Sequence, residues 1–188
     1  MKRWLDALRS GLEPRFPSIT APAGYSPGSI STTAQRSSSS WNGTKLILPD
    51  VNVLVYASRT DAPQHGEYFR WLDSTVRAEA PFGLSELVLS AVVRIVTNPR
   101  AFVNPMPLDA ALRFVDGLRA QPNAAVIAPG RRHWEIFSRL CREIGAKGNI
   151  VPDAYLAALA IESGSEWITT DRDFSRFRGL QWRHPLDG

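Results

Sequence analysis

Residues 148–174 read GNIVPDAYLAALAIESGSEWITTDRDF. An apolar helix pattern runs to a Ser163-Gly164 break, and a short strand, EWITT at 166–170, follows. A helix that feeds a strand is half of a βαβ unit, and such units build parallel sheets. Yet this apolar stretch carries carboxylates at both ends. Asp153 sits in the first turn of the helix, which Pro152 opens at its first position, and Asp171 and Asp173 come directly after the strand. In open α/β folds, ligands bind beyond the carboxyl ends of the strands. Acids placed there mark a candidate site.

The rest of the chain alternates in the same way. KLILPDVNVLVYA, residues 45–57, starts as a buried strand, Leu46 to Leu48, and ends at Pro49-Asp50. A helix pattern runs from about Pro63 to Val76, with Tyr68, Phe69, Leu72 and Val76 on one side. PFGLSE, residues 81–86, is a short strand or loop, and Ser85 is placed to cap an apolar helix from Glu86 to Val96. Another helix spans about Leu108 to Ala120, and AAVIA at 124–128 is a strand. Residues 131–144 form an amphipathic helix whose Trp134, Phe137 and Leu140 read as core. Asn149 is placed to cap the Asp153 helix, and GLQWRH at 179–184 holds a last strand. The fold class is therefore α/β, with a mostly parallel sheet covered on both faces.

Composition divides the chain. From Pro17 to Thr44, 21 of 28 residues are Pro, Ser, Thr, Gly or Ala, too few apolar groups to offset the entropy of ordering. Residues 1–44 are expected to be a disordered leader and 45–188 the folded domain. Residues 1–49 hold six basic and two acidic residues, while 50–188 hold 16 of each. The high pI thus belongs to the tail and does not by itself argue for nucleic acid. Fifteen of the 16 basic residues in 50–188 are arginine, which suits phosphate recognition but equally follows from a GC-rich genome. The single cysteine, Cys141, excludes an intrachain disulfide and fits a reducing, cytoplasmic setting. Three scattered histidines make no zinc site, and no apolar run is long enough to span a membrane.

Asp50 and Asp171 each follow a strand, so both face one edge of the sheet. Asp153 and Glu86 each lie in the first turn of a helix. Four acids from four segments can converge there as hard oxygen ligands for Mg²⁺ or Mn²⁺, and an ion so held activates water and neutralises phosphoryl charge. Each residue also has a local explanation. Asp50 can end its strand in an Asx turn, Glu86 and Asp153 can favour helix dipoles, and Asp171 and Asp173 can make a turn. Asp50 fits the local explanation least, because it lies in an otherwise apolar run and a buried carboxylate needs a partner. Arg94, on the Glu86 helix, can serve the acids or phosphate, or an ordinary ion pair. His65, at the start of its helix, reads as facing solvent.

LILPDVNVLVYA, GNIVPDAYLAALAIESG and WITTDRDFSRF, in that order, closely resemble the PIN-domain ribonucleases, in particular the toxins of VapBC toxin–antitoxin pairs. The resemblance covers about Leu46 to Leu186. It implies a PIN-like three-layer α/β/α sandwich and a Mg²⁺-dependent endoribonuclease acting on structured RNA, with tRNA or ribosomal RNA the usual targets. It implies a homodimer and a cognate antitoxin that blocks the site with a basic segment. The family's first, third and fourth acids match Asp50, Asp153 and Asp171, the metal-binding set. Asn52 matches the polar residue that orients Asp50, Thr170 the small hydroxyl residue before the fourth acid, and Asp173 an accessory ligand. In many relatives the second acid lies deeper in the helix, before the segment matching Val92 to Arg94, where this chain is apolar. Glu86 takes that role by elimination.

Two other readings compete. A haloacid dehalogenase-type phosphohydrolase would use Asp50 as nucleophile, but places a second Asp where this chain has Asn52. A non-catalytic PIN-like module would bind RNA or a partner without cutting.

Overall fold

A computed structural model describes residues 45–187, so the expected leader lies outside the described residues. Five strands form one sheet: β1 (Ile47–Pro49), β2 (Phe82–Leu84), β3 (Ala124–Val126), β4 (Glu166–Ile168) and β5 (Trp182–Arg183). Their order is β3-β2-β1-β4-β5, and every neighbouring pair is parallel. Among the described residues six helices connect them: α1 (Val51–Ser58), α2 (His65–Arg77), α3 (Glu86–Val96), α4 (Leu108–Arg119), α5 (His133–Ile144) and α6 (Ile150–Ser163). α1 packs on α2 and α3, and α3 on α4, while α5 packs on α6. The chain moves outward from β1 through β2 to β3, then crosses back to β4 and on to β5. Right-handed crossovers in opposite directions put the two helix groups on opposite faces, which makes the three-layer α/β/α arrangement.

That order has one reversal, between β1 and β4, and a crevice opens at such a switch point. The β1–β4 register pairs Leu48 with Trp167 and Pro49 with Ile168, both members buried in the first pair. Asp50 N then donates to Ile168 O at 2.8 Å, so Asp50 and Thr169 leave the sheet side by side.

The helices follow their sequence cues in most places. α3 begins and ends where the pattern places it. α6 stops at Gly164, whose φ of 67° lies in the left-handed region that glycine enters without strain. Several readings need correction. The first strand is Ile47–Pro49, one residue later than expected. α1 had no helical signal: Val51, Val53 and Val55 are β-branched, and Val53, Leu54, Val55 and Ala57 are all buried, so no polar face marks the period. α6 begins at Ile150, which makes Pro152 its third residue, still among the first four whose N–H needs no helical partner. Neither Asn149 nor Ser85 caps its helix with a side-chain hydrogen bond. Trp134 is no core residue either, with 70% of it exposed, although Leu140 is fully buried. His65 is half-buried, its Nδ1 3.1 Å from Tyr56 O.

Gly83 shows how closely the sheet is covered. A Cβ there would meet Ile127 Cγ1 at 2.9 Å and Leu48 Cδ1 at 3.1 Å. Overpacking of this kind costs about 1–3 kcal/mol. We expect Gly83→Ala to lower stability by that amount in denaturant melts, and an unchanged midpoint would contradict the packing described.

Candidate active site: three carboxylates at the switch point

Asp50 is 5% exposed and is held from three sides. Its Oδ1 accepts from Val51 N at 2.6 Å, so it caps α1 and meets the positive end of that helix. Its Oδ2 accepts from Asn52 Nδ2 at 2.8 Å and from Thr169 Oγ1 at 2.6 Å. Thr169 Oγ1 in turn accepts from Asn52 Nδ2 at 3.0 Å and from Asp171 N at 3.0 Å. Asn52 Oδ1 accepts from Thr170 N at 3.2 Å, which closes the network between β1 and β4. A carboxylate offers about four lone pairs. Three are engaged here, and one on Oδ1 remains.

Asp171 accepts from Asp173 N at 2.8 Å through Oδ1 and so caps the 3₁₀ turn Arg172–Arg176. Asp153, half-buried, is the fourth residue of α6. Electrostatics link the three acids. Burial pushes the Asp50 carboxyl up to about 6; hydrogen bonds from Thr169 and Val51 pull it down, and the charges of Asp153 and Asp171 push it up again. Burial also raises Asp153, as do the charges of Asp171 and Asp173, while the Arg176 cation lowers it. Local capping and site formation therefore coexist in Asp50 and Asp171.

The structure does not bring Glu86 into this group. Its side chain is 68% exposed, with Oε1 3.2 Å from Arg119 Nη2 on α4. Ser85, the buried residue after β2, lies level with Asp50, and Glu86 at the next position turns outward. Arg94 is exposed in the last turn of α3, about 12 Å along the axis from Glu86. Asp173 is exposed and paired with Arg176. Thr170 lends only its backbone N–H; the hydroxyl at the site belongs to Thr169, which the sequence reading passed over. The available signal was strand alternation, which puts Thr169 in step with buried Trp167. Arg176 was also missed.

Among the described residues, no three acidic, histidine or cysteine side chains stand close enough to close on a metal ion by themselves. The donor set instead fits a hard cation held by one or two carboxylates, with water completing its shell, as Mg²⁺ prefers. The free Oδ1 lone pair of Asp50 and the unneutralised charges of Asp153 and Asp171 are the groups that would hold it.

The model of the PIN domain matches residues 47–180. The chain belongs to the PIN domain family. Ribonuclease VapC43 of Mycobacterium tuberculosis is 45% identical over 143 residues, covering 76% of this chain and 97% of that protein. Ribonuclease VapC25 of the same organism is 39% identical over 140 residues, covering 74% and 99%. Among solved structures, VapBC2 from Rickettsia felis, bound to a promoter DNA fragment, aligns with a TM-score of 0.55 at 17% identity over 74% of this chain and 98% of that one. VapC20 of M. tuberculosis, described as a sarcin–ricin loop cleaving toxin, aligns with a TM-score of 0.52 at 17% identity over 71% and 98%. This PIN-domain chain is thus similar in sequence to VapC ribonucleases, and the two solved chains share its fold.

The raised Asp50 carboxyl makes a signed prediction. Its folded-state pKa, about 6, lies above the ordinary 3.8, so the folded chain binds the proton more tightly than the unfolded chain. The Asp50 contribution to stability should be greatest below about pH 4, fall as pH rises towards 6, and stay low above it. A shift of about two units corresponds to ~3 kcal/mol. Urea melts in EDTA should show this decline, Asp50→Asn should flatten it, and Mn²⁺ should restore stability at pH 7 by binding the folded form. A chain that gains stability from pH 4 to 7 in EDTA with no contribution from Asp50 would contradict the burial described.

Proposed function

We propose that this chain is a metal-dependent endoribonuclease, the toxin of a toxin–antitoxin pair. The observation that carries the reading is the buried Asp50, held by Thr169 and Asn52 at the switch point and coupled in charge to Asp153 and Asp171. Three acids at one sheet edge repel one another and leave a site that a divalent cation suits. The names of the 45% and 39% identical relatives support RNA as the substrate. Mg²⁺, or Mn²⁺ in its place, would be held by Asp50, Asp153 and Asp171, directly or through water.

The ion supplies Lewis-acid activation of water and neutralises charge that develops on the phosphodiester. The chain's own residues prepare the site for it. Thr169 and Asn52 fix the Asp50 carboxylate in one orientation, which leaves a single Oδ1 lone pair unengaged. Asp171 and Asp153 present charge from a second strand end and a second helix start. A carboxylate of the set accepts the proton from the attacking water. Serine, cysteine and histidine nucleophiles play no part. Position 52 carries an amide that donates to Asp50, so it cannot act as the acid–base partner of a haloacid dehalogenase-type nucleophile.

Structured RNA, such as tRNA or ribosomal RNA, is the substrate class this reading favours. The name of the solved VapBC neighbour is in keeping with a cognate antitoxin. A basic antitoxin segment over the acids and a homodimer in the cytoplasm complete the reading. Among the described residues no helix is long and apolar enough to cross a membrane.

Cleavage of total cellular RNA by the purified chain, freed of antitoxin, tests the function. Discrete cuts with Mg²⁺ or Mn²⁺ should vanish in EDTA. Asp50→Ala and Asp153→Ala should lose at least about 100-fold, the size expected when a group stabilising transition-state charge is removed. RNA that stays intact with folded, metal-supplied protein, while the chain still binds it, would replace the nuclease with a non-catalytic RNA-binding module.

A further inference from the structure

The reading above leaves a cation beside the acids unused. Arg176 ends the 3₁₀ turn that Asp171 caps. Its Nε donates to Asp173 O at 2.8 Å, and its Nη2 lies 2.8 Å from Asp173 Oδ1. Asp173 N donates to Asp171 Oδ1 at 2.8 Å, so two short contacts connect the guanidinium to a carboxylate of the site. The same cation also acts on Asp153.

Arg176 is not used up by these contacts. A guanidinium has five N–H donors, and Asp173 engages two of them, which leaves three without a partner among the described residues. The side chain is 34% exposed, and its Asp173 partner 71%. An ion pair that open to water contributes about 0–1 kcal/mol, so it restrains the fork only weakly. Substrate chemistry explains why a cation belongs here. An RNA phosphodiester approaching Asp50, Asp153 and Asp171 meets three charges of its own sign. A planar fork at the rim opposes that repulsion and can take two phosphate oxygens at once. The other basic residues nearby are less suitable: Arg183 is paired with Glu166, and Arg172 and Arg178 are exposed with no described contact to an acid of the site.

We propose that Arg176 receives the RNA phosphate at the acid site, its unused N–H donors forking onto the non-bridging oxygens of the phosphodiester at or beside the scissile bond. This inference rests on the ribonuclease reading above. The competing role is purely structural, a staple that holds the 3₁₀ turn through Asp173.

Two measurements on the full-length chain separate these roles. The first is the salt dependence of affinity for a short, mixed-sequence, single-stranded RNA in EDTA, where nothing is cut. The second is kcat/KM for RNA cleavage with Mn²⁺. Arg176→Gln should reduce the slope of log affinity against log salt by about 0.7, the value of one phosphate contact on a single strand. It should also lower kcat/KM by about 10- to 100-fold, the size of a lost charge-assisted hydrogen bond, with its melting curve unchanged. Arg176→Lys should restore the slope but only part of the rate, because it keeps the charge and loses the fork. Arg77→Gln, an exposed and similarly paired arginine on α2, should change neither. Wild-type cleavage with an unaltered slope in Arg176→Gln would overturn the proposal, whether the variant kept its rate or lost it beyond rescue by lysine. If the wild type cuts nothing, the ribonuclease reading fails, and the salt slope alone then decides whether Arg176 contacts phosphate.

Discussion

The hydrogen bond from Thr169 Oγ1 to Asp50 Oδ2, 2.6 Å long, joins β1 to β4 where the strand order reverses. A carboxylate buried to this depth is costly unless donors surround it. Three donors do, and each comes from a different source: the start of α1, the amide of Asn52 and the end of β4. The network can form only if β1 and β4 are neighbours in the observed register. The acid therefore constrains the topology as much as the topology positions the acid. Asp171 hangs from the same hydroxyl through its backbone N–H, so one threonine sets the spacing of two site carboxylates.

The residual charge at the site follows from that arrangement. Hydrogen bonds satisfy Asp50 but do not neutralise it, and Asp153 and Asp171 add charge of the same sign. The helix starts that carry Asp50 and Asp153 offset part of this, and the Arg176 cation offsets part on the Asp153 side. What remains favours a hard cation with several waters, the state in which a phosphodiester can approach. The chain so builds an unstable charge arrangement and leaves its completion to ion and substrate.

Much of this was legible in the sequence, because the informative residues break a pattern. Asp50 interrupts an apolar run, Asp153 interrupts the opening of an apolar helix, and Asp171 follows a strand directly. Asn52 was legible only through the family resemblance, as the polar residue that orients the first acid. The unread parts follow patterns that conceal them. α1 is buried nearly all round, so helical periodicity has no polar face to display. Thr169 and Thr170 are chemically alike; alternation from buried Trp167 was the one sequence cue to which hydroxyl turns inward, and pairing with β1 fixes it. Glu86 was chosen by elimination among acids in its segment, and elimination cannot detect that a residue turns outward to Arg119. Arg176 looked like one more arginine in an arginine-rich domain, and only the turn that follows Asp171 brings it to the acids.

The claim that Asp50, Asp153 and Asp171 form one divalent-cation site is tested most directly by locating the ion. Crystals of the chain grown with Mn²⁺ should give an anomalous peak beside the free Oδ1 of Asp50, with Asp153 and Asp171 as ligands directly or through one water. Asp50→Asn should abolish the peak. Strong density elsewhere, at Glu86 for example, or none at this edge in protein that cuts RNA, would contradict the account.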